Sequence, residues 1–257
     1  MKKILVLGHK GMLGHIVENY LSSKKNFQTK NITERWPTKS FKKSIHNFCG
    51  LDNGDFIINC IGAIHQKTNS FDVNTSLPIW LDKNISTKCK IIHPGTDCED
   101  DNDDYGISKR KAAEFILGAG SVTKIIKTSI IGPELASKVS LLEWFINNND
   151  NQVDGYSEYY WNGNTTLQWA KISEDMINNW NKYNTLSIPA TDCISKCELL
   201  LTIKKIFNKK ILIREKIFPS INKCLKGNIN VPSINEQLLD LKKYISDPYY
   251  INASING

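Results

Sequence analysis

Tyr105 and Lys109 stand four residues apart, and a hydroxyl residue, Thr96, lies shortly upstream. Four residues is about one helical turn, so a helix opening at Tyr105 puts both side chains on one face. The chemistry this predicts is acid–base. A free tyrosine has a pKa of about 10 and shuttles protons poorly at neutral pH. A neighbouring ammonium favours the phenolate and brings that pKa toward a useful range. Alone, the pair is equally what an ordinary helix start would contain. Its weight comes from the segments that must position it.

The first of these opens the chain. Lys2 to Leu7 is a short β-rich run ending at Gly8, followed by Gly11, Gly14 and an amphipathic helix to about Ser22. Strand, glycine turn and helix is the setting of a dinucleotide-binding turn, in which glycine admits a pyrophosphate to a helix N-terminus. The spacing is Gly-x-x-Gly-x-x-Gly, and Lys10, Met12 and Leu13 are the other expected turn contacts. A second strand, Phe27 to Ile32, ends near Glu34 and Arg35, where an adenosine ribose is read. Glu34 would favour the free 2′-hydroxyl of NAD and Arg35 the 2′-phosphate of NADP. Either could also be a solvated surface charge.

Asp55 to Gly62 reads as a buried parallel strand ending in a small-residue turn. Ligands of a doubly wound sheet lie at the carboxyl ends of its strands, so Cys60, Ile61 and Gly62 should border the cofactor. His65, a lone histidine, reads as a loop residue. Val73 to Ile85 has a helical pattern. Cys89 to His93 is the next strand and delivers Thr96 to the same edge. The Tyr105 helix runs to about Leu117, and Thr123 to Ile131 is one more strand.

This alternation predicts an α/β fold, a Rossmann-type doubly wound parallel sheet over residues 1–135. Residues 136–257 are expected to form a smaller substrate-binding lobe interleaved with it. That lobe should contain helices over Leu141–Asn147, Glu174–Asn181, Lys196–Phe207 and Ser233–Tyr244. It should also contain an aromatic loop from Tyr156 to Trp161, a short strand over Ile211–Arg214, and a frayed tail after Asp247.

The totals bound the rest. Net charge is +7, but the lysines are scattered and no arginine-rich block or zinc-ligand spacing appears. Anionic small ligands suffice to explain the balance, and nucleic acid is not expected as a partner. Seven cysteines show neither a disulfide framework nor a metal knuckle, which predicts reduced thiols in a cytoplasmic protein and no bound metal. No run approaches the length of a membrane span.

Together these segments resemble the extended, sugar-nucleotide-handling branch of the short-chain dehydrogenase/reductase superfamily, and within it the dTDP-4-dehydrorhamnose reductase-like group. The resemblance rests on Ile4–Gly8 with Gly11–Gly14, Asn59–Gly62, Asp72–Asn74, Gly95–Asp97, Tyr105–Lys109 and Lys127–Ser129. In the second half it rests on Trp161–Gln168 and Ile194–Leu200. It implies a triad in which Thr96 hydrogen-bonds the reacting oxygen, Tyr105 donates the proton, and Lys109 tunes the tyrosine and binds the nicotinamide ribose. It also implies NADP(H), with NAD(H) as second choice, and a UDP- or dTDP-linked sugar contacted by Thr96, Cys98, Trp161 and Asn162. A homodimer is a further expectation.

Two departures from that pattern bear on the substrate. Only eight residues separate Thr96 from Tyr105, a short acidic link similar to that of reductases acting on UDP-linked N-acetyl-6-deoxy-hexosuloses. Cys98 occupies the place where nucleotide-sugar dehydratases carry a glutamate, which argues against water elimination. Bifunctional epimerase/reductases are similar in having cysteine there, as the base that takes the C3 proton. A packing cysteine is the rival reading. The expected function is reduction of the 4-keto group of a nucleotide-activated 6-deoxy-hexosulose, with C3 epimerisation through Cys98. A non-catalytic NADP-binding regulatory subunit of the same fold is the alternative.

Overall fold

The computed structural model describes residues 1–85, 87–217 and 220–251. Contacts divide the chain into two compact units, 1–127 with 170–187 and 128–169 with 188–257.

The first unit is built on β1 (Lys2–Leu7), α1 (Met12–Ser22), β2 (Phe27–Asn31), α2 (Lys39–Gly50), β3 (Phe56–Asn59), α3 (Asp72–Ile85), β4 (Lys90–Gly95), α4 (Asp104–Gly118) and β5 (Lys124–Lys127). After the second unit's β6 (Ile130–Ile131), α5 (Leu141–Asn147), β7 (Gln152–Tyr156), β8 (Tyr159–Trp161) and β9 (Asn164–Thr165), the chain enters α6 (Thr166–Asn178). It then adds β10 (Leu186–Ser187) to the first sheet. That sheet has six strands in the order β10-β5-β4-β3-β1-β2, all parallel. The α/β, doubly wound expectation is met. The apolar runs of β3 and β4 follow from burial on both faces of such a sheet. On one face Leu5, Leu7, Ile57 and Ile91 pack with Phe41, Ile45 and Phe48 of α2 and Leu77, Leu81 and Ile85 of α3. The alternate residues Ile4, Val6, Ile58 and Ile92 are equally buried on the other face.

In the second unit β7 pairs with β12 (Leu212–Lys216), while β8 lies between β11 (Ile194–Ser195) and β13 (Ile221–Asn222). Helices α7 (Lys196–Ile206) and α8 (Ile234–Ile245) each begin with a capping box, Ser195–Glu198 and Ser233–Glu236. Asn164 is the polar hub. Its buried amide donates to the Thr128 hydroxyl and the Pro189 carbonyl, and its oxygen accepts from Gln237.

Several local expectations are corrected. The strand expected over Thr123–Ile131 breaks at Thr128–Ser129, because Ile130 and Ile131 pair with β9 instead of continuing β5. The aromatic stretch Tyr156–Trp161 contributes to β7 and β8 instead of looping, as the strand preference of aromatic residues allows. Helix α6 begins at Thr166, well before Glu174. Residues 248–251 are helical instead of frayed, and the remainder of the expected tail, 252–257, lies outside the described residues. The thiols are not all reduced: Cys49 pairs with Cys89 and Cys193 with Cys224, while Cys60, Cys98 and Cys197 form no disulfide. Folding brings each pair together from positions 40 and 31 residues apart, separations that no local spacing reveals. Among the described residues no helix is long and apolar enough to cross a membrane.

Candidate functional site

The strand order reverses direction at β1, which pairs with β2 on one side and β3 on the other. That is the switch point at which open α/β sheets hold ligands. The glycine turn sits on its carboxyl end. Gly8 has φ of 75°, a conformation that side chains rarely adopt, and its carbonyl accepts from the Gly11 N–H at 2.9 Å. A Cβ on Gly14 would collide with the Gly8 carbonyl, so glycine lets α1 close onto the turn. Gly11 caps α1 without any side-chain hydrogen bond, so no cap side chain covers the first-turn N–H groups at Met12 and Leu13. Lys10 is exposed beside them. Cys60 backs Gly8 from the end of β3, and burial pushes its thiol well above the ordinary range, so it is an inert neutral wall. The Asn59 side chain accepts from Ile61 N–H, and Asn74 of α3 holds Ala63 from both sides, shaping the turn that contains Gly62. The residues present fit a dinucleotide.

At the end of β2, Glu34 accepts a hydrogen bond from Ser44 at 2.6 Å, which holds its carboxyl below the usual range. Arg35 is exposed, and its carbonyl is engaged by Thr38. The carboxylate is therefore occupied within the protein, while the guanidinium faces solvent.

Thr96 follows β4 and caps a turn of 3-10 helix, Asp97–Asp100, in a capping box with Glu99. Glu99 accepts from the Thr96 N–H and from Lys127 of β5, both at 2.9 Å, in a largely buried pair. Cys98 lies within this tight turn, two residues after Thr96. The two side chains converge: the Thr96 hydroxyl donates to Asp97 at 3.0 Å, and the Cys98 thiol donates to the same carboxylate oxygen at 3.7 Å. Helix α4 starts with Asp103 capping Gly106 N–H at 2.7 Å, which sets Tyr105 in its first turn. The Tyr105 phenol is close enough to Thr96 for that side chain to pull its pKa down. Thus Thr96, Cys98 and Tyr105 meet at the carboxyl edge of the sheet.

Lys109 takes a different path from the one expected. Its ammonium donates to the Pro94 carbonyl at 2.7 Å, and burial pulls its pKa down to about 8, partly opposed by Glu99. Burial pushes the Tyr105 phenol up to about 12, with Cys98 adding, Thr96 opposing, and Asp97 and Glu99 adding further. The expected lowering of the phenol by the ammonium is absent: Lys109 is not among the groups that shift it, and burial with Cys98, Asp97 and Glu99 raises it. His93, buried beneath on β4, accepts from the Asn59 amide at 3.2 Å and is kept neutral by burial and by Lys109.

His65 stacks in a small aromatic group with Phe71 and Tyr105, and its ring nitrogen meets Asp103 at 3.1 Å. Sequence reasoning assigned no role to Glu99, Lys127 or Asn74. Glu99 was detectable as the fourth residue of a Thr-x-x-Glu capping box. Asn74 also donates to Ser108 at 3.2 Å, and Ser108 donates to the Tyr105 carbonyl at 2.7 Å, so the α3 helix braces the first turn of α4, which carries Tyr105.

Trp161 and Asn162, expected to touch substrate, are buried within the second unit at 1% and 6% exposure. Both ends of the Asn162 amide pair with the Leu225 backbone at 2.9 Å, so its contact is to the loop after β13. That loop carries Lys223, Lys226 and the disulfide at Cys224.

No protein-family model and no curated protein matches the chain. Solved structures do. A dTDP-4-dehydrorhamnose reductase from Bacillus anthracis in complex with NADP aligns with TM-score 0.74 at 13% identity, covering 95% of this chain and 99% of that one. The reductase of Clostridium acetobutylicum aligns with TM-score 0.72 at 16% identity, covering 95% and 100%. A dTDP-glucose 4,6-dehydratase from Bacillus anthracis in complex with NAD aligns with TM-score 0.71 at 12% identity, covering 96% and 97%. At such identities the likeness speaks to architecture, and the chain has the fold of the dTDP-4-dehydrorhamnose reductases.

Proposed function

We propose that this protein is an NADP(H)-dependent reductase of the 4-keto group of a nucleotide-activated 6-deoxy-hexosulose, UDP- or dTDP-linked and in one form 2-acetamido. The observation that carries the reading is the meeting of Thr96 and Tyr105 at the sheet edge that also bears the glycine turn and the buried Lys109. The fold shared with reductases of nucleotide sugars, one of them in complex with NADP, supports it.

A bound nicotinamide would supply the hydride for C4. The protein supplies everything around that transfer. The Thr96 hydroxyl turns from Asp97 to the ketone oxygen and polarises it. Tyr105, protonated throughout the physiological range, delivers its proton to that oxygen as charge develops. The Lys109 ammonium, held at Pro94, keeps a positive charge under the site below pH of about 8. Glu99 and Lys127 fix the Thr96 backbone, so the hydroxyl is placed before substrate arrives. The experiment is to follow NADPH absorbance while UDP-, dTDP- and GDP-linked 4-keto-6-deoxy sugars are supplied. Consumption with one of them is the expected result. Tight NADPH binding with no consumption across the panel would leave a binding protein of the same fold.

Arg35 is assigned to the 2′-phosphate. Arg35→Ala should raise the apparent KM for NADPH by about 10- to 150-fold, the equivalent of a charge-assisted hydrogen bond of about 1.5–3 kcal/mol, and leave NADH nearly unaffected. Equal effects on the two cofactors would remove that assignment and return attention to Glu34.

Cys98 is assigned to C3. A 4-keto group acidifies the C3 hydrogen, and a thiol, with an ordinary pKa of about 8.5, is a suitable base for it. The Cys98 thiol first releases its proton to solvent; the thiolate then takes the C3 proton onto sulfur while Thr96 holds the oxygen of the resulting enolate. Incubation in D₂O with oxidised cofactor and no NADPH should place deuterium at C3 in wild type and not in Cys98→Ser. The same variant should still reduce a substrate already in the product configuration at C3. A wild-type protein that exchanges nothing would leave a plain reductase.

A further inference from the structure

The opposite edge of the first sheet carries a second constellation. Lys2, Lys90 and Lys124 are the first residues of β1, β4 and β5, and Phe56 is the first of β3, between β1 and β4. Lys90 is in register with Phe56, which pairs with Ile4 two residues after Lys2, and Lys124 pairs with Ile92 two residues after Lys90, so the three lysines start from staggered rows at the amino edge of the sheet. The C-terminal end of α6 and the short turn Trp180–Lys182 close over them, leaving a cavity of about 450 Å³ whose walls include Lys2, Lys90, Phe56, Trp180 and Lys182.

Two of the lysines are tied down. Lys2 donates to the Ile177 carbonyl at 2.8 Å, and Lys124 donates to the Tyr183 carbonyl. Lys90 is not: its ammonium lies 5.5 Å from the ring centres of both Phe56 and Trp180. Lys124 sits over the same Trp180 ring at 4.8 Å. The indole faces are thus occupied by cations, so a base stacked on Trp180 is not what this cavity is shaped to receive. The nearest acid, Asp55, already accepts from the Lys3 N–H at 2.8 Å, and no carboxylate among the described residues lies within salt-bridge distance of Lys2, Lys90 or Lys124. A helix C-terminus contributes only about half a negative charge. The ammonium groups of Lys2, Lys90 and Lys182 against that half charge and one partly engaged carboxylate leave an excess of roughly +1.5. Burial and the charge of Lys90 both lower the pKa of Lys124, as expected where like charges converge without a counter-ion.

We infer that this cavity is a binding site for a small ligand carrying two adjacent phosphoryl groups, held by Lys2, Lys90 and Lys182 at the amino edge of the sheet. Phosphoryl oxygens would give Lys90 the acceptors it lacks, and the aromatic rings fix its ammonium in place beforehand. The site lies across the sheet from Thr96 and Tyr105 and does not depend on the reductase reading.

Amine labelling read by mass spectrometry tests it one lysine at a time. NADP⁺ is present throughout, so the glycine turn cannot account for the result. Inorganic pyrophosphate at millimolar concentration should slow labelling of Lys90 and Lys2 at least fivefold, while Lys67 on the surface is unchanged. ADP in a parallel arm tells whether the diphosphate is read alone, with equal protection, or as part of a nucleotide, with protection at lower concentration. Lys90→Gln should abolish protection at Lys2 without changing the melting temperature by more than a few degrees. Equal protection by sodium chloride at matched ionic strength, or unchanged protection at Lys2 in Lys90→Gln, would overturn the site.

Discussion

If the proposed reduction is this protein's reaction, Tyr105→Phe is expected to lower the turnover of NADPH with the proposed 4-keto substrate by about 10²- to 10⁴-fold, the range that a positioned proton donor contributes. Cofactor affinity should change by less than about twofold, since only one oxygen is removed. The phenol is mostly buried, and the protein raises its pKa to about 12, so wild type presents a fully protonated donor at every working pH. The variant keeps the ring and therefore its edge contact with Phe71 and its approach to His65. It should fold normally. Stopped-flow single turnovers separate the chemical step from release; near-normal hydride transfer in Tyr105→Phe would remove the tyrosine from the mechanism.

The second large effect is at Lys109, and it runs in two directions at once. Lys109→Met should reduce turnover by about 10²-fold or more, and should also melt higher at pH 7. A lysine held at pKa about 8 in the fold and near 10.5 when unfolded disfavours the folded state by on the order of 3 kcal/mol while it is charged. Methionine removes that penalty but leaves the Pro94 carbonyl without its donor, which costs about 1–3 kcal/mol. A net gain of about 1 kcal/mol corresponds to roughly 2–4 °C for a chain of this size. The sign follows from proton binding. Between pH 8 and 10.5 the unfolded chain holds the proton and the folded one releases it, so wild-type stability rises through that window and Lys109→Met should lose its advantage there. Wild-type kcat/KM should be level below pH of about 8 and fall above it as the ammonium is lost. Thermal melts at pH 7 and pH 9.5, with a pH profile of turnover, check both halves. A variant that melts well below wild type at pH 7 would mean the lysine is structural.

Much of the framework was legible because it is written in short range. The strand, glycine turn and helix of residues 2–22 sit within one stretch of chain, and Tyr105 and Lys109 share a turn of one helix. Their electrostatics were not legible. Four-residue spacing says that two groups are close, but burial of Tyr105 and the acids at Asp97 and Glu99 decide the direction of its pKa, and these are tertiary facts. The turn at Asp97–Asp100 hides behind a strand-like Thr96, although the Thr-x-x-Glu pattern does signal it. Two-residue strands such as β6, β9 and β11 have no period to detect. Trp161 and Asn162 are recognisable in sequence, but only the fold shows that the amide is turned to Leu225.

The position of β10 has a consequence for how the chain is made. Leu186 and Ser187 complete the parallel sheet on the outer side of β5, pairing with Ile125 and Ile126. On a ribosome the first 127 residues emerge with β5 as a bare margin of unpaired amides and carbonyls, a template for pairing with another nascent chain. Its cover arrives about sixty residues later, after the first part of the second unit, at positions 186–187. At synthesis rates of about 5–20 residues per second, that margin stays open for roughly 3–12 seconds. Lys124 and Lys127, charged residues at the two ends of that strand, are well placed to discourage such pairing during the interval.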